Sequence, residues 1–190
     1  MMQLSLIAGV SARHIHLCAN DWETLFGKEA VLHNKKNIRQ IGQFAAEEQV
    51  YMITNKGELP VRVIGPLRDE TQIEISITEA RILGLEVSLR ISGNTDSTPG
   101  CLLVGPKGKI VLKKGVIVAA RHIHLCPATA EQYRLQNGDV VDVKTVGERA
   151  ITFHNVAVRT GEKHVDEFHV DTDEANACGL VTGIMVEIFK

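Results

Sequence analysis

Seven residues occur twice in the chain, Ala12-Arg13-His14-Ile15-His16-Leu17-Cys18 and Ala120-Arg121-His122-Ile123-His124-Leu125-Cys126, and they hold four of its eight histidines. On a β-strand, residues i and i+2 point to the same face. His14 and His16 then form one fork of imidazoles, and His122 and His124 a second. Two imidazoles side by side are half of a metal site, because a neutral ring nitrogen is a good ligand for zinc and its transition-series neighbours. A single His-x-His is weak evidence. An identical heptamer in two copies is far stronger, and it turns the question to what completes each set.

A second internal repeat offers the completing residues. Glu79-Ala80 aligns with Glu174-Ala175, and Gly84-Leu85 with Gly179-Leu180. Extended back without gaps, the alignment sets Glu74 opposite His169 and Arg81 opposite Asn176. Two three-ligand sets result: His14, His16 and Glu74, and His122, His124 and His169. Three N/O ligands with an open position mark catalytic rather than structural zinc, whose sites close all four positions and mostly use thiolates. The plainer readings are that Glu74 is a solvated carboxylate at a strand edge and His169 a neighbour of a capped helix. Two ions together would act as a clamp on an oxyanion. Arg68, on the turn after Gly65-Pro66, adds a guanidinium suited to phosphate or carboxylate. Spacing alone fits an ordinary surface arginine equally well. Cys18 and Cys126 would face the metals if the strands continued, but a helix start would turn them away and leave them as small buried hydrophobes. The chain has no Walker-type loop, no dinucleotide Gly-rich fingerprint and no Gly-x-Ser-x-Gly elbow. Any metals would therefore carry the chemistry.

These groups need strands to hold them. Each heptamer follows an apolar run, Ile7-Ala8-Gly9-Val10 or Val116-Ile117-Val118-Ala119, which reads as a buried strand entering the motif. A short helix follows each, over 20–27 with Gly27 at its end, and over 127–135 with Pro127 at its start. Residues 71–77 and 165–170 read as the strands that carry Glu74 and His169. Short capped helices follow at 78–83, closed by Gly84, and at 171–179. Residues 49–54 and 59–64 flank a turn at Asn55-Lys56-Gly57, and 102–104 and 109–112 flank Gly105-Pro106-Lys107-Gly108. Residues 139–146 and 149–159 alternate like half-buried strands. Residues 33–41 are polar and basic and read as a loop, either solvated or facing an anionic ligand. Residues 92–100 form the most linker-like stretch, so the domains are expected at 1–95 and 101–190, each with its own His-x-His. The expected class is mainly β with short helices.

Composition excludes other classes. The 190 residues suffice for one large domain or two small ones. A net charge of -2 and 4% aromatics argue against a nucleic-acid partner. No apolar run approaches a membrane span, and residues 1–7 lack the charged and apolar regions of a signal peptide. The four cysteines show no Cys-x-x-Cys pair and no disulfide framework, which favours a reduced, cytoplasmic setting.

The chain resembles the phosphate propanoyltransferase (PduL-type phosphotransacylase) family nearly end to end. The likeness rests on both Ala-Arg-His-Ile-His-Leu segments and on Gly42-Gln43-Phe44-Ala45-Ala46-Glu47-Glu48, Arg62-Val63-Ile64-Gly65-Pro66-Leu67-Arg68, Thr71-Gln72-Ile73-Glu74-Ile75-Ser76, Gly105-Pro106-Lys107-Gly108 and His169-Val170-Asp171-Thr172-Asp173-Glu174-Ala175-Asn176. It implies two linked, pseudo-repeated β-barrel domains, open to strand exchange, with a di-zinc site between them in a homodimer. The implied reaction is reversible transfer of a short acyl group, propanoyl or acetyl, between CoA and phosphate, in propanediol or ethanolamine catabolism. Carried over by motif, one zinc takes His14, His16 and Glu74, and the other takes His122, His124 and His169. Cobalt suits the same ligands. Arg68 would hold phosphate, and Ser11, Ala12, Arg13, Arg62 and Asn176 would contact CoA. Cys18 and Cys126 stand where similar sequences usually carry a small hydroxyl residue, which leaves thiolate ligation, oxidation or a ping-pong path open. Family members packaged in bacterial microcompartments, against shell or enzyme partners, often carry an N-terminal extension. Only a few residues precede the first strand here, which argues against packaging by such a peptide. The rival readings are a zinc-dependent thioester or ester hydrolase and a non-catalytic metal-binding module.

Overall fold

A computed structural model describes residues 4–190. The first three residues of the stretch read above for a signal peptide lie outside them. In chain order the strands are β1 (Leu4–Ser11), β2 (His14–His16), β3 (Asn34–Asn37), β4 (Phe44–Ile53), β5 (Glu58–Gly65), β6 (Gln72–Glu74), β7 (Leu89–Arg90), β8 (Cys101–Val104), β9 (Lys109–Leu112), β10 (Val116–Ala119), β11 (His122–Leu125), β12 (Val140–Lys144), β13 (Thr152–Thr160), β14 (Glu167–Asp171) and β15 (Met185–Phe189). The helices are α1 (Ala19–Phe26), α2 (Ile77–Leu83), α3 (Pro127–Tyr133) and α4 (Thr172–Cys178). The chain is thus mainly β with short helices, and it divides into two compact units, one of Arg13–Ala119 and one joining the stretch up to Ala12 with Ala120–Lys190.

The unit containing β1 is a closed barrel in the order β1-β14-β11-β13-β12-β15. Alternation drives it: in β1, Leu4, Leu6 and Ala8 are buried while Ser5 is exposed. They pack with Ile123, Leu125, Phe168, Val170, Val186 and Ile188 into one core. β1 closes the barrel, parallel to β14 with Ala8 opposite Phe168, and antiparallel to β15 with Leu4 opposite Ile188.

The Arg13–Ala119 unit is a curled sheet in the order β7-β10-β6-β2-β5-β4-β8-β9, with β3 pairing β4. Here the structure departs from the two barrels that the resemblance implied, because this sheet is a half-barrel. The ends of this path are β7, only two residues long, and β9, which carries Lys109. Short and charged edges of this kind do not invite further pairing. Ile15, Leu17, Trp22, Leu25, Met52, Val63, Ile73 and Leu103 form its core.

Three local readings are corrected. The polar stretch after His33 holds a strand, β3, exposed at every position and paired with β4. No face is buried, so no alternation announced it. The strand carrying Glu74 ends there, and Ser76 caps α2 through a reciprocal bond with Glu79. The linker-like stretch is tied into the sheet: Gly93 N–H donates to Gln72, Gly115 N–H to Thr98 and Val116 N–H to the Pro99 carbonyl. Compact units therefore divide the chain at the two heptamers, whereas the sequence repeats divide it near 95–101. The Gly105-Pro106-Lys107-Gly108 hairpin forms as read, joining β8 and β9. Its glycines lie so close to the Leu25 and Thr24 carbonyls at the end of α1 that a side chain at either would overlap them.

Candidate functional site

The first fork lies on β2, between β5 and β6. Ile15 points into the core, so His14 and His16 share the other face. The antiparallel register sets His14 directly across from Glu74 and His16 across from Gln72. His14 Nε2 lies 3.6 Å from Glu74 Oε2. One ligand atom from each of His14, His16 and Glu74 falls within 4.8 Å of the others. Gln72 fixes the carboxylate: its amide donates to Glu74 Oε1 at 2.7 Å and to Ser92 Oγ at 2.9 Å, while its own oxygen accepts from Gly93 N–H. His16 Nδ1 faces the Ile64 carbonyl at 3.3 Å, which leaves Nε2 as the ligand nitrogen. Burial first, then His14 and the Arg68 guanidinium, hold His16 well below the usual imidazole range. It therefore stays neutral, with its lone pair available. Arg68 is exposed at this cluster, and its backbone N–H is anchored on the Leu17 carbonyl at 2.9 Å.

The second fork repeats the plan on β11. His122 lies across from His169 on β14, and His124 across from Glu167. The three imidazole centroids lie 4.7 to 5.1 Å apart, and their ligand atoms again fall within 4.8 Å of one another. His122 Nδ1 donates to the Ala120 carbonyl at 2.8 Å, and its Nε2 faces His124 Nε2 at 3.0 Å. His124 Nδ1 is buried without a hydrogen-bond partner among the described residues. Burial first, then the neighbouring His122, His169, His164 and Arg159, drive its pKa far down. Three imidazoles whose ligand atoms converge, one of them with a buried, unpartnered nitrogen, fit a divalent cation. They do not fit a structural thiolate site.

The other expected site residues fall around these clusters. The Arg13 guanidinium donates to the Pro60 carbonyl and to Glu79 Oε1, both at 2.7 Å. Arg121 does the same in the barrel, to the His154 carbonyl and to Glu174 Oε1. Each heptamer arginine thus ties its fork to the capped helix that follows the third ligand. Arg62, on β5, pairs with His14 on β2, but its guanidinium is held by the Ala46 and Glu47 carbonyls. Ser11 ends β1 opposite Asp171, next to Ala12, and Asn176 is exposed on α4. Cys18 and Cys126 are the N-cap residues of α1 and α3, and neither caps with its side chain. Sequence reasoning missed Gln72 and Glu167, although the same repeat aligns them with each other. It also missed His164, whose ring meets His124 edge-on at 4.2 Å.

The chain is similar to known proteins over nearly its whole length. The sequence profile described as phosphate propanoyltransferase matches residues 7–181. The phosphate propanoyltransferase of Rhodopseudomonas palustris (strain BisB18) is 50% identical over 183 residues, 96% of this chain and 81% of that protein. That of Thermotoga maritima is 49% identical, over 97% of this chain and 89% of that protein. That of Salmonella typhimurium (strain LT2) is 48% identical, over 94% and 86%. The class is therefore a phosphate acyltransferase, which leaves the hydrolase alternative unsupported. Within that class, the chain belongs to the phosphate propanoyltransferase family.

Proposed function

We propose that the chain transfers a short acyl group, propanoyl or acetyl, reversibly between CoA and inorganic phosphate, with one divalent ion, zinc or cobalt, on each of the triads His14–His16–Glu74 and His122–His124–His169. The observation that carries this reading is the exposed Arg68 guanidinium beside the His14–His16–Glu74 cluster, in which burial keeps His16 neutral. Bound divalent ions supply Lewis-acid charge for phosphate and for a developing oxyanion. Arg68 binds phosphate through its planar fork of donors and holds one oxygen on the thioester carbonyl. That oxygen adds to the carbonyl carbon, the C–S bond breaks, and CoA leaves as its thiolate. With a thiol pKa of about 8.5, the leaving group needs little protonation. No enzyme nucleophile is required. Ser11, Ala12, Arg13, Arg62 and Asn176 are proposed to contact CoA, with Arg13 and Arg62 doing so from guanidinium groups already fixed in place.

The test is release of CoA from propanoyl-CoA or acetyl-CoA, with and without phosphate, before and after chelation. The expected result is release that requires phosphate and is lost with the metal, and a metal content of two equivalents per chain. Phosphate-independent release would instead indicate hydrolysis, and full activity after complete metal removal would end the metal reading.

A further inference from the structure

We propose that Glu167 is a positioning residue for the all-histidine cluster: it holds the His169 ring with Nε2 protonated and leaves Nδ1 as the metal-binding nitrogen. This rests on the metal reading above. Glu167 is buried, 5% exposed, and its Oε2 lies 2.7 Å from His169 Nε2. A carboxylate only accepts hydrogen bonds, so the proton of this contact sits on Nε2. A neutral imidazole has one proton, and the lone pair is then on Nδ1.

The surrounding backbone is built for this contact. On the antiparallel pair β11–β14, His122 and His169 form one rung and His124 and Glu167 another, with Ile123–Phe168 between them, so the four side chains form a square on one face. On the other side of β14, Gly9 of β1 pairs with His169. A Cβ at Gly9 would lie 2.7 Å from Glu167 Oε1 and 3.2 Å from His169 Cδ2. The missing side chain is the room the carboxylate occupies.

The first cluster shows the same square with its chemistry exchanged. There the rungs are His14 with Glu74 and His16 with Gln72, and Gln72 donates to Glu74 Oε1 at 2.7 Å. The carboxylate is a ligand and its partner is a neutral amide. In the barrel the ligand is a neutral imidazole and its partner is the carboxylate. Each square holds one carboxylate, as a ligand in the one and as the partner of a ligand in the other.

The test is titration of metal-free protein with cobalt(II) against a competing chelator, following the visible cobalt bands. The unmodified protein is expected to take two equivalents, and His169→Ala to lose one of them, which identifies the barrel site. Glu167→Gln is expected to keep both equivalents but to weaken that one by about 10- to 100-fold, the usual cost of losing an outer partner of a metal ligand, with altered bands from that site alone. Wild-type affinity and bands at both equivalents in Glu167→Gln would overturn the proposal. If that variant does not fold, Glu167→Asp, whose carboxylate falls one methylene short of His169 Nε2, decides by the same criterion. Nitrogen-15 spectra of the unmodified metal-free protein at mildly alkaline pH should show His169 as the Nε2–H tautomer. The Nδ1–H tautomer would also overturn the proposal. Fewer than two equivalents in the unmodified protein would overturn the metal reading itself, whereas two equivalents unaffected by Glu167→Gln would leave that reading intact.

Discussion

Arg68 and Cys18 share an isolated parallel bridge at the end of the first fork, and each bears on a different mechanistic question. Arg68→Ala removes the exposed guanidinium. It is expected to lower turnover by about 100- to 1,000-fold, the range seen for loss of one donor to reacting oxygens, with metal content unchanged by elemental analysis. Near-normal turnover would sink the phosphate assignment. Cys18 and Cys126 occupy N-cap positions without capping, a place where a serine hydroxyl normally accepts from the first helical turn. The double variant Cys18→Ser, Cys126→Ser is expected to retain turnover, which would exclude an acyl-enzyme on either thiol. Urea unfolding should also show a gain of roughly 0.5–1 kcal/mol per cap. The other two thiols are shielded, and burial pushes Cys101 up to about 12. At this scale the ligands were legible because a duplicated His-x-His and a second repeat point to the same six residues. Gln72 and Glu167 were not singled out, since a buried amide and a buried acid in short strands have no periodic signal of their own.

At the scale of elements, the two units share a joint between strand and helix with its chemistry reversed. In one, the Thr71 hydroxyl accepts from Cys18 N–H at 3.0 Å and donates to Asp21 Oδ2 at 2.5 Å. In the other, Asp166 accepts from Cys126 N–H at 2.8 Å and from the Thr129 hydroxyl at 2.6 Å. The carboxylate has moved from the helix to the residue before the strand, and the hydroxyl from the residue before the strand to the helix. Thr71→Asp alone would set two acids against each other and is expected to cost roughly 1–3 kcal/mol in urea unfolding. Adding Asp21→Thr recreates the barrel's pair and should recover most of that loss. A double variant no more stable than the single one would show that the two joints are not equivalent. Elements marked by turn and cap chemistry were legible: the β8–β9 hairpin, Gly84 closing α2, and Asp171 opening α4. The alternation of residues 71–77 overran β6 because the Ser76-Ile77-Thr78-Glu79 capping box outcompeted it, and that signature was also in the sequence. β3 left no trace, being an edge exposed on both faces.

For the whole molecule, the division of the chain matters more than the number of units. The heptamers are where the chain passes from one unit to the other, so the strand before each fork belongs to the other unit from the fork itself. Sequence repeats could not show this, because β-strand pairing between distant segments leaves no local mark. A fragment of residues 101–190 lacks β1, the strand between β14 and β15. It is expected to show no cooperative thermal transition by circular dichroism. A synthetic peptide of Leu4–Ser11 added in trans should restore one, and a cooperative transition in the fragment alone would contradict the role given to β1.

The position of β1 also sets an order of events during synthesis. Its partners, β14 and β15, are translated only after the whole of Arg13–Ala119, which is contiguous and can finish folding while the ribosome is still at work. At bacterial and eukaryotic elongation rates the wait is on the order of ten seconds. Throughout it, a strand with Leu4, Leu6 and Ala8 on one face has no barrel to enter. The nascent chain, rather than the finished enzyme, is therefore the form most exposed to aggregation.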